Sequence, residues 1–315
     1  MQNCGQVVLK LEGGLGNQLF QFAAGYFLAA KLGGNLTIDQ YSVPLTTVHG
    51  ESEYGFEALN LDSLRREIQI DVSEKLPSNL AIKLAQWKPS IKRFLLKIRM
   101  TTSNFSGLPL FIEKDELSSK ENFLGICNSI KLHGNFQTWD IVERAAQLGF
   151  PRVFELKFIP AWIKTFDVDF ENSVVLHLRL GDDTKSNANF KQPSIEYYWA
   201  ATKILKSKKK AQKVYVLSDD LQRARVFLGI DFPYDVKYLN MPHDSTPLER
   251  MYFMSLFSGI VCANSTFCGW AAWSISNSGG EVIVPVPYSD GPVLGSRDFP
   301  SKWIKLDKYS GAEAV

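Results

Sequence analysis

Residues 174–183 read VVLHLRLGDD, and the fold turns on how this run is parsed. Val174, Val175, Leu176 and Leu178 form the near-continuous apolar pattern of a parallel strand covered on both faces. Period-two alternation sends His177 and Arg179 to the same face. Gly181, Asp182 and Asp183 then make a turn. In open α/β sheets, ligands gather at the carboxyl ends of strands. A guanidinium placed there stays charged and can grip a phosphate with two parallel hydrogen bonds. The competing reading is an Arg179 paired with Asp182 or Asp183 only to hold the turn.

Outward from this strand, the second half of the chain alternates strands with helices. SIEYYWAATKIL (194–205) reads as a helix capped by Ser194. KVYVLSDD (213–220) reads as a strand ending in two acids, followed by a helix over 221–228. Residues 247–258 read as a Met- and Phe-rich core helix, 259–267 as a strand ending in Asn-Ser-Thr, 268–276 as a helix and 281–287 as a further strand. Such alternation means a parallel sheet flanked by helices. All strand ends then lie along one edge. That edge collects His177, Arg179 and Asp182, then Ser218, Asp219 and Asp220, then Asn264, Ser265 and Thr266. Arginine with hydroxyls and helix-start amides suits a diphosphate, and an aspartate suits guanine or ribose donors.

The first half opens with the same unit. QVVLKL (6–11) reads as a strand, NLTIDQ (35–40) as another, and a helix lies between them from Leu19 until Gly33-Gly34 stop it. The glycine-rich turn at 13–16 exposes backbone N–H groups at a helix start, a natural anion site. It matches a dinucleotide fingerprint or a P-loop only weakly, since Leu19 stands at the third glycine position and the Lys-Ser/Thr of a P-loop is lacking. A tight turn accounts for the glycines. Asn17 and Gln18 are better suited to holding a polar ligand. Residues 41–80 give no clear pattern. AIKLAQWKPSIKRFLLKIRM (81–100) interleaves six Lys and Arg with apolar residues, as a surface helix or a contact with an anionic membrane would. KSKKKAQK (206–213) reads as a solvated basic loop. SIKLHGNFQTWD (129–140) reads as a short strand leading to a polar cleft wall, in which His133 has no second residue at metal spacing. A helix over 141–149 follows, and the domain junction is expected in 150–169.

Apolar residues make up 45% of the chain, enough to build ordinary cores. The 315 residues suggest two domains at roughly 150 residues each. A net charge of +2 gives no basic field that would call for nucleic acid. The four cysteines, at 4, 127, 262 and 268, form no CxxC pair and no zinc-type cluster, which favours a reducing compartment. Met1–Gly5 does not read as the start of a signal peptide, and no run of ~20 apolar residues spans a membrane. The expected location is cytoplasmic, as for a bacterial-type soluble enzyme, with peripheral contact at the inner membrane face left open.

Taken together, the landmarks resemble the α-1,2-fucosyltransferases of glycosyltransferase family 11, which use GDP-fucose. The matching segments are GGLGNQLFQFA (13–23), Gly134–Gln137, HLRLGDD (177–183), EYYWAA (196–201), YVLSDD (215–220), ANSTFCGWAAW (263–273) and Pro300–Trp303. They run in family order over nearly the whole chain. Departures are Leu180 in place of a second arginine, Cys268-Gly269-Trp270 in place of Ser-Trp-Trp, and Ser258 in place of a histidine.

The resemblance implies a GT-B fold, with two Rossmann-like domains facing across a cleft. Residues 1–160 would form the N-terminal domain on the acceptor side and 161–315 the GDP-fucose-binding domain. It implies an inverting, metal-independent transfer of L-fucose to the 2-hydroxyl of a terminal galactose on a glycan, with no cofactor. Arg179 and Asn17 are the expected catalytic residues. Donor contacts are expected from Gly14, Gly16, Asn17, Gln18, His177, Arg179, Asp182, Asp219, Asn264, Ser265, Thr266 and Phe267, and acceptor contacts from Phe136 and Gln137. The general base is unassigned between Asp182, Asp183 and others. Two alternatives stand beside this reading: a transferase of another nucleotide sugar, and an inert glycan-binding module.

Overall fold

The computed structural model describes residues 6–11, 13–39, 46–47, 50–51, 70–73, 110–112, 129–132, 134, 136–181, 191–209, 213–290 and 299–314. The chain forms two compact units and passes from the first to the second at Pro151–Arg152. Residues 152–160 thus belong with the second unit, where Phe154 packs edge-on against Trp270 at 5.6 Å.

The strands of the first unit are β1 (Gln6–Lys10), β2 (Leu36–Asp39), β3 (Thr46–Thr47), β4 (Gly50–Glu51), β5 (Ile70–Ser73), β6 (Leu110–Ile112) and β7 (Ser129–Leu132). Among the described residues five of them form a parallel sheet in the order β5-β2-β1-β7-β6, and β3 and β4 form a small antiparallel pair. The expected β1-helix-β2 opening is present. Strands β5 and β6 carry no readable signal in the sequence, since four and three residues are too few to show an alternation. The Leu15–Leu32 helix is apolar on nearly every side, as a core helix must be. From Leu15 to Ala29 every residue is buried except Asn17. The helix ends at Gly33, whose φ of 60° is left-handed and costs glycine little.

The second unit holds β8 (Ser173–Leu178), β9 (Lys213–Ser218), β10 (Val236–Tyr238), β11 (Gly259–Val261), β12 (Glu281–Val286) and β13 (Ile304–Asp307). They form a parallel sheet in the order β10-β9-β8-β11-β12-β13. Numbered within the unit, this is the 3-2-1-4-5-6 order of dinucleotide-binding folds. All six residues of β8 are buried, as its apolar run requires. Val174, Leu176 and Leu178 pack with Tyr197, Tyr198 and Leu205 of the Ile195–Lys209 helix. Burying one such aliphatic side chain contributes about 2 kcal/mol. Ser194 caps that helix by accepting from the Tyr197 N–H at 3.3 Å. Strands β10 and β13 were not legible in advance, being short and only partly covered.

Candidate functional site

Among the described residues, chain order reverses across the sheet between β1 and β7 in the first unit and between β8 and β11 in the second. The crevice at the carboxyl ends of such strands is the expected ligand site.

In the second unit, Arg179 leaves β8 and Ser265 follows β11 at the N-cap of the Thr266–Asn277 helix. Arg179 Nη1 lies 3.5 Å from Ser265 Oγ, which accepts from it across the reversal point. The Ser265 side chain makes no capping bond to its own helix. The Thr266 N–H reaches the hydroxyl of the half-buried Tyr288, just beyond β12. Burial drives that phenol far above its usual range, and the nearby Arg179 charge opposes the rise. An arginine, a hydroxyl and a helix N-terminus therefore converge where an anion is best held.

His177 shares the Arg179 face. Its ring lies 6.2 Å from Phe267, and its carbonyl accepts the Tyr198 hydroxyl at 3.1 Å. Its Nδ1 is buried with no hydrogen-bond partner among the described residues. Asp219 acts on the turn after Arg179. Its two carboxylate oxygens accept the backbone N–H groups of Leu180 at 2.7 Å and Gly181 at 3.0 Å. A Cβ at position 181 would stand 2.6 Å from Asp219 Oδ2, so this clamp needs glycine there.

In the first unit, Gly13 adopts a left-handed φ of 77° and Gly14 is the helix N-cap. The helix begins at Leu15, earlier than its apolar period suggested, so Gly16, Asn17 and Gln18 lie in its first turn. Asn17 is thus not the capping residue. Its Oδ1 accepts from Gln137 Nε2 at 2.9 Å, which links the turn after β1 to the segment after β7. Gln18 donates to the Gly13 carbonyl at 2.9 Å, while its own buried Oε1 has no partner among the described residues. Phe136 is fully buried, with a strained φ of 47°. Its ring is core and the backbone it bends carries Gln137. Its expected acceptor contact therefore has no exposed ring surface to use.

No protein-family model matches the chain. An alpha-1,2-colitosyltransferase of Escherichia coli is 27% identical over 322 residues, covering 96% of this chain and 99% of the relative. The O-antigen biosynthesis glycosyltransferase WbnK of Escherichia coli is 26% identical over 316 residues, covering 94% and 99%. Among solved structures, fucosyltransferase NodZ from Bradyrhizobium aligns with a TM-score of 0.52 at 15% identity, over 85% of this chain and 91% of that one. POFUT1 in complex with GDP aligns with a TM-score of 0.51 at 12% identity, over 90% and 99%. The chain is a glycosyltransferase. Its two Rossmann-like units are those of the GT-B fold.

In this glycosyltransferase several expected contacts have other tasks. Asn264 donates through Nδ2 to the Lys191 carbonyl at 2.8 Å and faces the Tyr288 carbonyl at 3.5 Å, so its amide ties segments together instead of reaching outward. Asp220 caps the Leu221–Leu228 helix through the Arg223 N–H at 2.9 Å and pairs with the Arg223 guanidinium at 3.2 Å. Leu180, at the position of the second family arginine, is buried in the core with Leu178. Ser258 donates to the Ser173 carbonyl at 2.8 Å and so anchors the start of β8. Asp182, Asp183, His133 and the basic stretch 81–100 lie outside the described residues.

Residue roles also emerged that the sequence did not suggest. Tyr197 and Tyr198 of EYYWAA stand on the core face of their helix. Their hydroxyls donate to the carbonyls of Cys262 at 2.8 Å and His177 at 3.1 Å. Two adjacent tyrosines in an apolar helix were the available signal, because a buried phenol needs a partner. Lys308 is wholly buried and donates to Asp290 Oδ2 at 2.7 Å, with Tyr309 donating to the other oxygen. Among the described residues no group of three or more His, Cys, Asp or Glu is placed to hold a metal ion, and no helix is long and apolar enough to cross a membrane.

Proposed function

We propose that this glycosyltransferase moves L-fucose from GDP-fucose to the 2-hydroxyl of a terminal galactose on a glycan, with inversion at the sugar carbon and without a metal. The observation that carries the reading is the Arg179–Ser265 contact across the β8/β11 reversal point. As the bond between the sugar and GDP breaks, negative charge builds on the β-phosphate. Arg179, Ser265 and the start of the Thr266–Asn277 helix are donors already in place for that charge. A single preplaced donor of this kind lowers a barrier by about 3 kcal/mol. The acceptor hydroxyl attacks the opposite face of the sugar carbon and gives its proton to a base that remains to be assigned. In the first unit the amides of Asn17, Gln18 and Gln137 carry no charge and suit sugar hydroxyls.

A second donor is favoured by one specific observation. The relative that is 27% identical over nearly the whole chain is named for colitose, which is fucose without its 3-hydroxyl. GDP release measured with GDP-fucose, GDP-colitose and a UDP-sugar, each with galactose-terminated acceptors, separates these readings. Release from neither GDP-sugar would overturn the donor class, and glycan binding without any release would leave a lectin-like module. Arg179→Ala should abolish turnover in a folded protein, with Arg179→Lys restoring little because it loses the bidentate grip. Near-normal turnover in Arg179→Ala would remove the assignment.

A further inference from the structure

At the edge of the second unit opposite Arg179, the surface combines apolar and basic groups in a way that catalysis does not explain. The sheet is parallel, so the chain before each strand lies at its amino-terminal edge. There the end of the Ile195–Lys209 helix and the start of β9 meet the 229–235 connection into β10. Ile230 is 99% exposed and Val226 is 80% exposed, whereas most aliphatic residues of the unit are in the core. Beside them an open groove of about 460 Å³ is lined by Ile230, Phe232, Pro233, Tyr234, Tyr238 and the acidic Asp235, among others. Basic groups form its rim. Lys206 Nζ lies 5.7 Å from the Tyr234 ring and the Arg225 guanidinium 4.1 Å from the Tyr238 ring. Lys203 and Lys237 are exposed nearby.

Charge decides what covers this face. Residues 203–238 contain nine Lys and Arg against four Asp. Of these, Asp219, Asp220 and Arg223 are engaged with one another's turn at the opposite edge, beside Arg179, and Asp235 is the acid that lines the groove. The net field is basic in a chain that is otherwise close to neutral. We propose that this edge is a peripheral docking surface for an anionic lipid bilayer. Ile230 and Val226 enter the acyl boundary, Tyr234 and Tyr238 sit at headgroup depth, and Lys203, Lys206, Arg225 and Lys237 meet lipid phosphates. A fully projecting isoleucine needs no matching pocket in a bilayer, whereas a protein partner would have to supply one. The docked edge leaves the carboxyl-end site of this unit pointing away from the lipid.

The test uses the full chain with vesicles of phosphatidylcholine mixed with phosphatidylglycerol, and with vesicles of phosphatidylcholine alone. The wild type should co-sediment with the mixed vesicles, release at high salt and ignore the neutral ones. Lys203→Gln/Lys206→Gln/Lys237→Gln should weaken binding roughly 5-fold per charge removed. Ile230→Asp should weaken it ~10-fold or more. Melting temperature and GDP release with a soluble acceptor should stay at wild-type values in both variants, since all four positions are on the surface and away from Arg179. Absence of binding to the mixed vesicles would overturn the proposal. So would binding that both variants retain, which would place the contact elsewhere. A wild-type dimer in sedimentation velocity that Ile230→Asp dissociates would overturn it too, by making the face a self-association surface.

Discussion

Asp219→Asn tests whether the turn after β8 is held for the sake of Arg179. The carboxylate accepts two backbone N–H groups, Leu180 at 2.7 Å and Gly181 at 3.0 Å. An asparagine keeps the shape but turns one oxygen into an NH₂ that faces an N–H. One charge-assisted bond is lost and a donor opposes a donor. Such bonds are worth about 1.5–3 kcal/mol, and the exposure of Asp219 discounts the loss below that range, to ~1 kcal/mol. For a unit of this size that is roughly 2–4 °C in melting temperature. The rate should suffer far more. Arg179 is the residue immediately before the clamped pair, and a displacement of about 1 Å at a reacting group can cost ~10²-fold. Gly181→Ala is the companion variant. Its Cβ would stand 2.6 Å from Asp219 Oδ2, so the carboxylate must leave its place.

The assay is GDP release at saturating acceptor with donor concentration varied, alongside thermal unfolding. If Asp219 works through the turn, both variants lose kcat together, by ~10²-fold, with small thermal shifts. If Asp219 instead contacts guanine or ribose directly, Asp219→Asn raises the donor KM and Gly181→Ala is mild. Full kcat in both variants, with the thermal shift alone remaining, would refute a catalytic purpose for the clamp.

Three further outcomes are expected. Asn17→Ala should lower kcat by ~10² or more with little change in melting temperature, because Gly14 and not Asn17 holds the N-cap position; a variant that instead loses stability and keeps its rate would make Asn17 structural. EDTA should leave GDP release unchanged, since Arg179 and Ser265 are positioned to take the phosphate charge; activity lost to EDTA and restored by Mg²⁺ or Mn²⁺ would contradict this. Burial would raise the Asp290 carboxyl, but bonds from Lys308, Tyr309 and the Lys191 N–H outweigh it and hold it below its ordinary value. Its stabilisation is therefore complete above the ordinary aspartate value of about 4 and lost as pH falls through the lower folded value. Melting temperature should drop over that acid window, and Asp290→Asn should lower it at neutral pH and flatten that part of the drop; an unchanged acid limb would remove the pair from the account.

Much of this architecture was legible because it rests on local periodicity. The alternation at 174–179 correctly put His177 and Arg179 on one face, and the strand–helix rhythm of 194–287 gave the parallel sheet. What stayed hidden depends on distant partners. SDD at 218–220 looks like one acidic strand end, yet Asp219 holds a backbone turn 38 residues earlier and Asp220 caps its own helix. Asn264 looked like a ligand amide, but its partner is a carbonyl at Lys191, 73 residues away. Nothing within a few residues of Lys308 announces that it is buried, because the charge that makes burial tolerable follows a different strand.

Leu180 shows the same division within one motif. The family pattern places a second arginine there, and the departure looks at first like a weakened grip on phosphate. The structure gives the position another meaning. Alternation from Val174 carries through Leu176 and Leu178 to Leu180, and all four side chains enter one core cluster with Tyr197 and Tyr198. An arginine side chain with this backbone direction would have to bury its charge among aliphatic and aromatic groups, at a cost of several kcal/mol unless paired. Leucine is thus what the strand's own period asks for in this chain. The anion-facing role proposed for Arg179 needs nothing from position 180: Arg179 meets Ser265 from the neighbouring strand end, and Asp219 holds the turn that follows it. The departure from the family pattern is accommodated by packing, and the donors at the β8/β11 reversal point remain in place.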